Sequence, residues 1–277
     1  MISVSYTHLN LKRFDIPKSW GGINTLCGVQ EYGAAIVKGA DRALEGKSGL
    51  VPAVFFPEAY LLDAGRARHA DSPLQLGVQG VFRRDVGDGN IGAFTTQHTA
   101  RCAAALGCTW AMVGHSEERA NLKEILAEGG AQDFTAVHRI LRAEVKAAQA
   151  AGLNVLFCVG ETAEETDRRE QVLEQQLRLG LEGADLSKVV AGYEPIWAIG
   201  PGKTPPDAPY IAQTARMIKN ILPIPVVYGG GLKEENAAAI GALPEVDGGL
   251  IGLTRFSGEV GFYPEEYAAI IEKYLQQ

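Results

Sequence analysis

Short apolar runs alternate with longer segments of helical periodicity along this chain. Eight runs rich in β-forming residues stand out: Ser3–Leu9, Leu50–Phe56, Leu74–Gln79, Thr109–Val113, Leu153–Val159, Lys188–Tyr193, Ile224–Tyr228 and Gly248–Ile251. The clearest helical segments between them are Asn24–Leu44, Asp133–Ala151, Ala163–Leu181, Ala208–Ile221 and Pro264–Leu275. Alternation of this kind predicts parallel strands that are joined by crossover helices.

The number of these units favours a closed barrel over an open sheet. About eight strand–helix units in 277 residues fit a (β/α)₈ barrel, which takes about 250 residues, with some loop insertions. A doubly wound open sheet is the alternative fold. The sequence contains no Pro/Ser-rich linker, low-complexity run or evident repeat, so we predict one α/β domain over residues 1–277.

Composition and charge argue against nucleic-acid and membrane partners, but they are compatible with a small anionic substrate. The chain is 46% hydrophobic and 21% charged, with a net charge of −7 and a pI of about 5.4. A mildly acidic protein suits nucleic acids and anionic membranes poorly, whereas a small anionic substrate needs only a local positive site. No apolar run approaches the roughly 20 residues that span a bilayer, and the first residues lack a signal-peptide pattern.

The four cysteines match no metal-binding spacing; they are Cys27, Cys102, Cys108 and Cys158. Because disulfides are rare in the cytosol, we interpret these residues as reduced thiols of a cytoplasmic protein. The cysteine spacing therefore predicts no metal site, and we expect no cofactor.

Polar and ionisable residues follow three of the predicted strands directly. Asn10 and Lys12 come after the first strand, His115 after the fourth and Glu194 after the sixth. In (β/α)₈ enzymes the chemistry lies at the carboxyl ends of the strands, so these side chains are expected to meet at one mouth. Asn10 and Lys12 share one face, where the lysine would supply positive charge for a phosphate or an oxyanion. Taken singly, each residue also fits a structural or solvated position.

The segment GYEPIWAIGPGKT, residues 192–204, places a carboxylate directly after the sixth strand. Glu194 is a candidate general base if the apolar residues after Pro195 close over a pocket, and we interpret Trp197–Lys203 as that lid. The Gly-Lys-Thr tail resembles a nucleotide-binding P-loop. That motif requires a glycine at position 197, where this chain has tryptophan, so we reject it.

His115 stands at the predicted start of a helix, in the sequence Gly114-His-Ser-Glu-Glu-Arg119. Ser116 is expected to cap this helix, and the acidic residues after it suit the positive end of the helix dipole. The same dipole disfavours a cationic imidazole. His115 would therefore be a neutral hydrogen-bond donor to a polarised oxygen.

Glycine-rich segments follow the last two predicted strands. Gly229-Gly-Gly231 comes after the seventh strand, and Gly248-Gly-Leu-Ile-Gly252 forms the eighth strand and its end. The loops after strands seven and eight form a recurrent phosphate site in such barrels, because backbone N–H groups can approach a phosphate closely at glycine.

Taken together, these tracts resemble the triosephosphate isomerase family from Asn10 to about Arg255. The matching tracts occur in order and at barrel spacing: Asn10-Leu-Lys12, Gly92-Ala-Phe-Thr95, Gly107-Cys108, Gly114-His-Ser-Glu117, Cys158-Val-Gly-Glu161, Tyr193-Glu-Pro-Ile-Trp-Ala-Ile-Gly200 with Gly202-Lys203, and Tyr228-Gly-Gly230. The resemblance implies a TIM-barrel fold and an aldose–ketose isomerase that uses no metal or cofactor.

The resemblance also implies a role for each matching residue. Glu194 would be the base that moves a proton between adjacent carbons, and His115 the electrophile that polarises the enediolate oxygens. Lys12, with Asn10 beside it, would steady negative charge. Ser116 and Glu117 would organise the residues around them. The substrate- and phosphate-binding residues would be Gly200, Gly230, Gly231, Gly252 and Leu253.

Family members are dimeric, and a loop after the third strand reaches into the neighbouring subunit's site. Thr95 matches the threonine of that loop, and Arg83–Phe94 is comparable in length. We therefore predict a homodimer.

Several positions depart from the family pattern. The family serine after Tyr-Gly-Gly is Gly231 here, which removes a hydroxyl that holds the closed lid. The family's second glycine in the eighth loop is Leu253, whose side chain would crowd the phosphate or shift the backbone. Arg255, within Thr254–Ser257, could supply a new charged contact to phosphate. The family arginine after His-Ser-Glu is Glu118.

All catalytic residue types are retained, so we predict an active isomerase of a short phosphorylated sugar. The leading substrate pair is dihydroxyacetone phosphate and glyceraldehyde 3-phosphate, as in glycolysis and gluconeogenesis. Because of Leu253, an isomerase of another small sugar phosphate, such as a tetrulose 4-phosphate, is one alternative. A non-catalytic sugar-phosphate-binding barrel is the alternative from a different class. Neither nucleic acid nor a membrane is an expected partner.

Overall fold

A closed barrel of eight parallel strands forms the centre of the molecule. The computed structural model describes residues 5–13, 16, 18–23, 26–87, 94–200, 202–255 and 258–276. The strands are β1 (Ser5–Asn10), β2 (Leu50–Phe56), β3 (Gln75–Val78), β4 (Trp110–Val113), β5 (Asn154–Val159), β6 (Val189–Tyr193), β7 (Val226–Tyr228) and β8 (Gly248–Ile251). Each strand pairs with the next in sequence, and β1 also pairs with β8, which closes the sheet. The predicted (β/α)₈ fold is confirmed and the open sheet is wrong.

Helices on the outside connect successive strands. Within the described ranges the α-helices are α1 (Tyr32–Leu44), α2 (Glu58–Ala67), α3 (Ala100–Ala105), α4 (Ser116–Glu128), α5 (Thr135–Ala150), α6 (Arg169–Gly180), α7 (Ala208–Ile221), α8 (Glu234–Gly241) and α9 (Pro264–Leu275). In the part of the chain that the structure describes, no helix is both long and apolar enough to cross a bilayer.

Over the described residues, the predicted strands agree with the observed ones to within two residues at each end. Ser3 and Val4 of the first predicted strand lie outside those residues. Three predicted helices agree equally well, namely α5, α7 and α9. Helices α2, α3, α4 and α8 were not predicted as segments, although the start of α4 was predicted at His115. Helices α2, α3 and α8 are short, and α4 buries only Arg119, so their apolar periodicity is weak.

Two predicted helices begin later than expected. The segment Asn24–Leu44 becomes helical only at Tyr32, after a 3₁₀ turn over Val29–Glu31, and its first two residues lie outside the described residues. Gly28, just before that turn, has an extended backbone with φ −62° and ψ 156°. The segment Ala163–Leu181 opens with a 3₁₀ turn that runs as far as Arg168.

Alternate strand residues face the barrel interior and the helices. On β2, Val54 packs into the layer beneath the helices, whereas Ala53 and Phe55 point inwards. The interior is filled mainly by Phe55, Trp110 and apolar residues of the later strands. Since burial of one large apolar side chain contributes about 1.5–3 kcal/mol, these two layers hold the strand ends rigidly in place.

Candidate active site

A cavity of about 420 Å³ opens at the carboxyl ends of the strands. Eleven of the predicted site residues line it: Asn10, Lys12, His115, Ser116, Glu117, Glu194, Gly200, Gly230, Gly231, Gly252 and Leu253. The structure therefore brings together residues from the ends of β1, β4, β6, β7 and β8. Thr95 is different, because it lies exposed outside this cavity.

Glu194 is held where β6 meets the end of β5. Its side chain is buried, with 2% of the residue exposed, and its backbone N–H donates to the Val159 carbonyl at 2.8 Å. A Cβ atom on Gly160 would lie 1.8 Å from the Glu194 carbonyl oxygen. Only glycine at position 160 permits this close approach of the two chains.

Three donors surround the Glu194 carboxylate. The His115 Nε2 atom is 3.1 Å from Oε1, and the Ser116 backbone N–H donates to Oε2 at 3.0 Å. The Arg119 Nη2 atom lies 3.7 Å from Oε2. These contacts place the carboxylate and the imidazole side by side at the cavity wall.

His115 itself caps helix α4. Its Nδ1 atom accepts a hydrogen bond from the Glu117 backbone N–H at 3.3 Å, and Ser116 is the first helical residue. The expectation that Ser116 caps the helix was wrong. Because Nδ1 acts as an acceptor, the ring proton of a neutral imidazole lies on Nε2, the atom that faces Glu194.

Two buried residues beneath Glu194 were missed by the sequence reasoning. Arg119 donates from Nε to the Gly114 carbonyl at 2.8 Å and from Nη1 to the Gly160 carbonyl at 2.7 Å. Cys158 lies below the carboxylate, and its pKa is raised well above the usual value, mainly by burial and also by the charge of Glu194. The thiol is therefore protonated and is no nucleophile.

Asn10 and Lys12 occupy different parts of the mouth. The Asn10 Oδ1 atom accepts from Gln79 Nε2 at 2.9 Å, and the same nitrogen donates to the Leu11 carbonyl. A Cβ atom on Gly252 would lie 3.7 Å from the Lys12 Nζ atom, so the lysine side chain reaches the loop that follows β8. Gln79 was missed although it is a polar residue at a strand end, which is the signal that identified the others.

The predicted lid is divided between the cavity and the protein interior. Ala198, Ile199, Gly200, Gly202 and Lys203 line the cavity, while Pro201 lies outside the described residues. The apolar tip was expected to cover the pocket as a unit, but its tryptophan turns away.

Trp197 is instead anchored behind the cavity by Glu161. The indole N–H donates to Glu161 Oε1 at 2.8 Å, and the hydroxyls of Tyr193 and Tyr210 donate to the same oxygen at 3.0 Å each. The Tyr210 ring packs edge-on against the indole. The start of the lid is therefore tied to the end of β5 and to α7.

The glycine-rich loops border the far side of the cavity. Gly231 has a φ of +99°, and a Cβ atom there would meet only Pro205, at 3.6 Å, so its requirement for glycine comes from the backbone. Leu253 faces the cavity together with Val260, a residue that the sequence reasoning did not single out.

Arg255 does not reach this cavity. Its guanidinium donates from Nε to Glu266 at 2.8 Å and stacks 3.8 Å above the Tyr263 ring. The expected phosphate contact of Arg255 was wrong, because an acidic neighbour on α9 satisfies the charge. Phe256 and Ser257 lie outside the described residues.

Among the residues that the structure describes, no three or more His, Cys, Asp or Glu side chains lie together so that they could hold a metal ion. The ionisable side chains that line the cavity, beside the glycine-rich loops, are Lys12, Lys203, Lys233, Glu117, Glu194 and His115.

A parallel (β/α)₈ barrel with these groups at the carboxyl ends of its strands defines the class of barrel enzymes that act on small phosphorylated substrates. Comparison with known proteins narrows the class. The family model described as triosephosphate isomerase matches residues 27–273. The chain belongs to the triosephosphate isomerase family.

Individual relatives agree with this assignment. A triosephosphate isomerase of Pelodictyon phaeoclathratiforme is 34% identical over 82% of this chain and 86% of its own length. Another, from Bdellovibrio bacteriovorus, is 37% identical over 72% of this chain and 79% of its own. The crystal structure of the Bartonella henselae triosephosphate isomerase superposes with a TM-score of 0.73 at 23% identity, covering 98% of both chains, and so shares the fold.

Proposed function

We propose that this protein interconverts dihydroxyacetone phosphate and glyceraldehyde 3-phosphate by proton transfer through an enediolate. The observation that supports this most directly is the contact at 3.1 Å between Glu194 and His115 at the mouth of the barrel. Membership of the triosephosphate isomerase family makes the protein an aldose–ketose isomerase of a small phosphorylated sugar. The relatives favour neither the tetrulose phosphate alternative nor the non-catalytic one.

Glu194 is proposed as the general base. Its carboxylate would take a proton from the hydroxyl-bearing carbon and return it to the neighbouring carbonyl carbon, which exchanges ketose and aldose without net oxidation. General base catalysis of this kind contributes about 10²–10⁴ in rate. The contacts of Glu194 with His115 and the Ser116 N–H orient it towards the cavity.

His115 is proposed as the electrophile. Since Nδ1 accepts from Glu117, the ring proton lies on Nε2, which contacts Glu194 in this structure. With substrate bound, this Nε2–H would turn to the two oxygens of the enediolate and donate to each in turn. Ser116 and Glu117 contribute backbone N–H groups that fix the carboxylate and the imidazole. Asn10 and Lys12 would complete the polar wall, with the ammonium group balancing the negative charge of substrate and intermediate.

The substrate phosphate is proposed to bind between the lid and the glycine-rich loops. Gly200, Gly230, Gly231, Gly252 and Leu253 border one part of the cavity, and the Lys12 ammonium lies beside Gly252. Closure of the lid would exclude water and protect the enediolate from loss of phosphate.

We also propose that the protein is a cytoplasmic homodimer. The exposed position of Thr95, away from the cavity of its own subunit, supports a contact with the cavity of a partner. The cytoplasmic location rests on the sequence-based interpretation of the four cysteines as reduced thiols.

A coupled assay with both triose phosphates tests the activity. Replacement of Glu194 by Gln keeps the shape but removes the base, so kcat should fall by about 10²–10⁴ with a smaller change in KM. Glu170→Gln, on the exposed face of α6, is the control and should retain full activity. Absence of turnover by the unchanged protein with both trioses would contradict the proposal.

A further inference from the structure

A pair of carboxyl groups lies behind His115, on the side of α4 that faces α5. Glu118 is in the first turn of α4, and Glu144 is a residue of α5 that is only 7% exposed. The two side chains are within hydrogen-bonding contact of each other. The proposed chemistry uses neither of them.

This contact requires a proton. Two carboxylates have only acceptor atoms, so one of the pair must be protonated for a hydrogen bond to form. Burial, and then the charge of Glu118, raises the pKa of Glu144 to about 10. Glu144 therefore keeps its proton at neutral pH and donates it to Glu118. Burial raises the pKa of Glu118 as well, while the hydrogen bonds from Gly114 and Glu144 favour its anion.

Charged and titratable groups from several elements face this pair. His115 and Arg119 face Glu118 from α4 and its start, and Cys158 faces it from β5. Arg83, after β3, faces Glu144. The two arginines favour one negative charge on the pair, and burial disfavours a second.

The pair is linked to the proposed electrophile through Gly114. The Glu118 Oε2 atom accepts a hydrogen bond from the Gly114 backbone N–H at 2.6 Å. The Gly114 carbonyl accepts from Arg119 Nε at 2.8 Å, so both polar groups of this residue are held. Gly114 has a φ of +79° and immediately precedes His115. The direction in which the imidazole leaves the strand depends on this turn.

We propose that Glu118 and Glu144 are positioning residues that share one proton and hold the Gly114–His115 turn in its active geometry. The inference rests on the proposed isomerase function. When the shared proton is lost in alkaline solution, the two carboxylates repel each other, the hold on Gly114 weakens, and kcat falls.

Variants of Glu144 test this role by their pH profiles. Glu144→Gln keeps a hydrogen-bond donor that cannot ionise, so kcat should match the unchanged protein at neutral pH and persist to higher pH. Glu144→Leu removes the donor and should lower kcat about tenfold, the cost of one charged hydrogen bond, with little change in KM. Glu128→Gln, an exposed carboxyl of the same helix, should leave the whole profile unchanged.

Two measurements do not depend on catalysis. Infrared spectroscopy at about pH 8 should show the carbonyl stretch of a protonated carboxyl group in the unchanged protein and in Glu128→Gln, and lose it in Glu144→Gln. The unfolded chain releases the Glu144 proton near the ordinary pKa whereas the folded chain retains it. The Tm of the unchanged protein should therefore fall relative to Glu144→Gln as pH rises from about 5 to 9.

Coinciding pH profiles of the unchanged protein and Glu144→Gln, or no protonated carboxyl band, would overturn the proposal. If Glu144→Leu fails to fold, the pH profile of Glu144→Gln and the infrared spectrum still test whether the pair shares a proton. If the protein does not turn over triose phosphates, the proposed function fails, while the band and the Tm still report whether the pair shares a proton.

Discussion

His8 is a buried histidine in the barrel interior, one layer below Asn10. It is 0% exposed, and neither ring nitrogen has a hydrogen-bond partner in the part of the chain that the structure describes. The rings of Tyr6, Phe55 and Trp110 surround it, with centroids 4.9–5.6 Å away. Burial lowers the pKa of His8 to about 3. The side chain is therefore neutral, and its protonation would place an unpaired charge in an apolar core.

Acid should destabilise the protein through His8. The unfolded chain binds a proton near pH 6.5 while the folded chain does not, so stability is complete above that pH and declines as pH falls towards 3. The loss amounts to about 2 kcal/mol between pH 6.5 and 5. His8→Leu should reduce this pH dependence in denaturant unfolding experiments, and the exposed His69→Leu should not. Equal pH dependence of stability in the unchanged protein and in His8→Leu would show that His8 does not cause the acid destabilisation.

At the scale of elements, the chain after β8 brings two apolar side chains to the cavity. Arg255 and Gly261 pair as antiparallel partners, and the Tyr263 N–H donates to the Thr254 hydroxyl at 2.9 Å. Leu253, two residues after β8, and Val260, next to Gly261 of this pair, both line the cavity. The phosphate is therefore expected to share this region with an apolar wall.

Shortening Leu253 should strengthen phosphate binding. Leu253→Ala removes most of the side chain that crowds this region, so the inhibition constant of inorganic phosphate should fall several-fold. Alanine is used rather than glycine because glycine would also make the backbone more flexible. Leu62→Ala, on the exposed face of α2, serves as the matched control. An unchanged or higher inhibition constant in Leu253→Ala would show that the phosphate binds elsewhere.

At the scale of the whole molecule, barrel closure joins residues that are far apart in sequence. Residues from the ends of five strands meet at one mouth, while Thr95 stays on the outside of its own subunit. Thr95 belongs to a tract that matches the family, yet it does not face the cavity of its own subunit. A partner subunit that completes the cavity would explain this position.

The homodimer can be tested at Thr95. Thr95→Arg introduces a long charged side chain at the expected interface, so sedimentation should change from dimer to monomer, and kcat/KM should fall about tenfold or more. Gln171→Arg adds the same charge on the exposed face of α6 and should change neither. A monomeric unchanged protein with full activity would refute the predicted assembly.

Much of the fold and much of the cavity lining could be predicted from the sequence by itself. Periodicity located the eight strands to within two residues, because buried parallel strands are continuous apolar runs. Polar residues directly after those runs, such as His115 and Glu194, identified the cavity wall, since parallel strands end on the same side of a barrel.

Contacts between side chains on different elements were decided only by the tertiary structure. Some of these contacts depend on segments that are remote in sequence, namely the bond from Trp197 to Glu161 and the proton shared by Glu118 and Glu144. Others depend on side-chain direction, namely the capping of α4 by His115 and the ion pair between Arg255 and Glu266. Residue order and periodicity determine which side of a strand or helix a residue occupies. Packing in three dimensions determines which partner it meets there, and with it the direction of each hydrogen bond and the place of each proton.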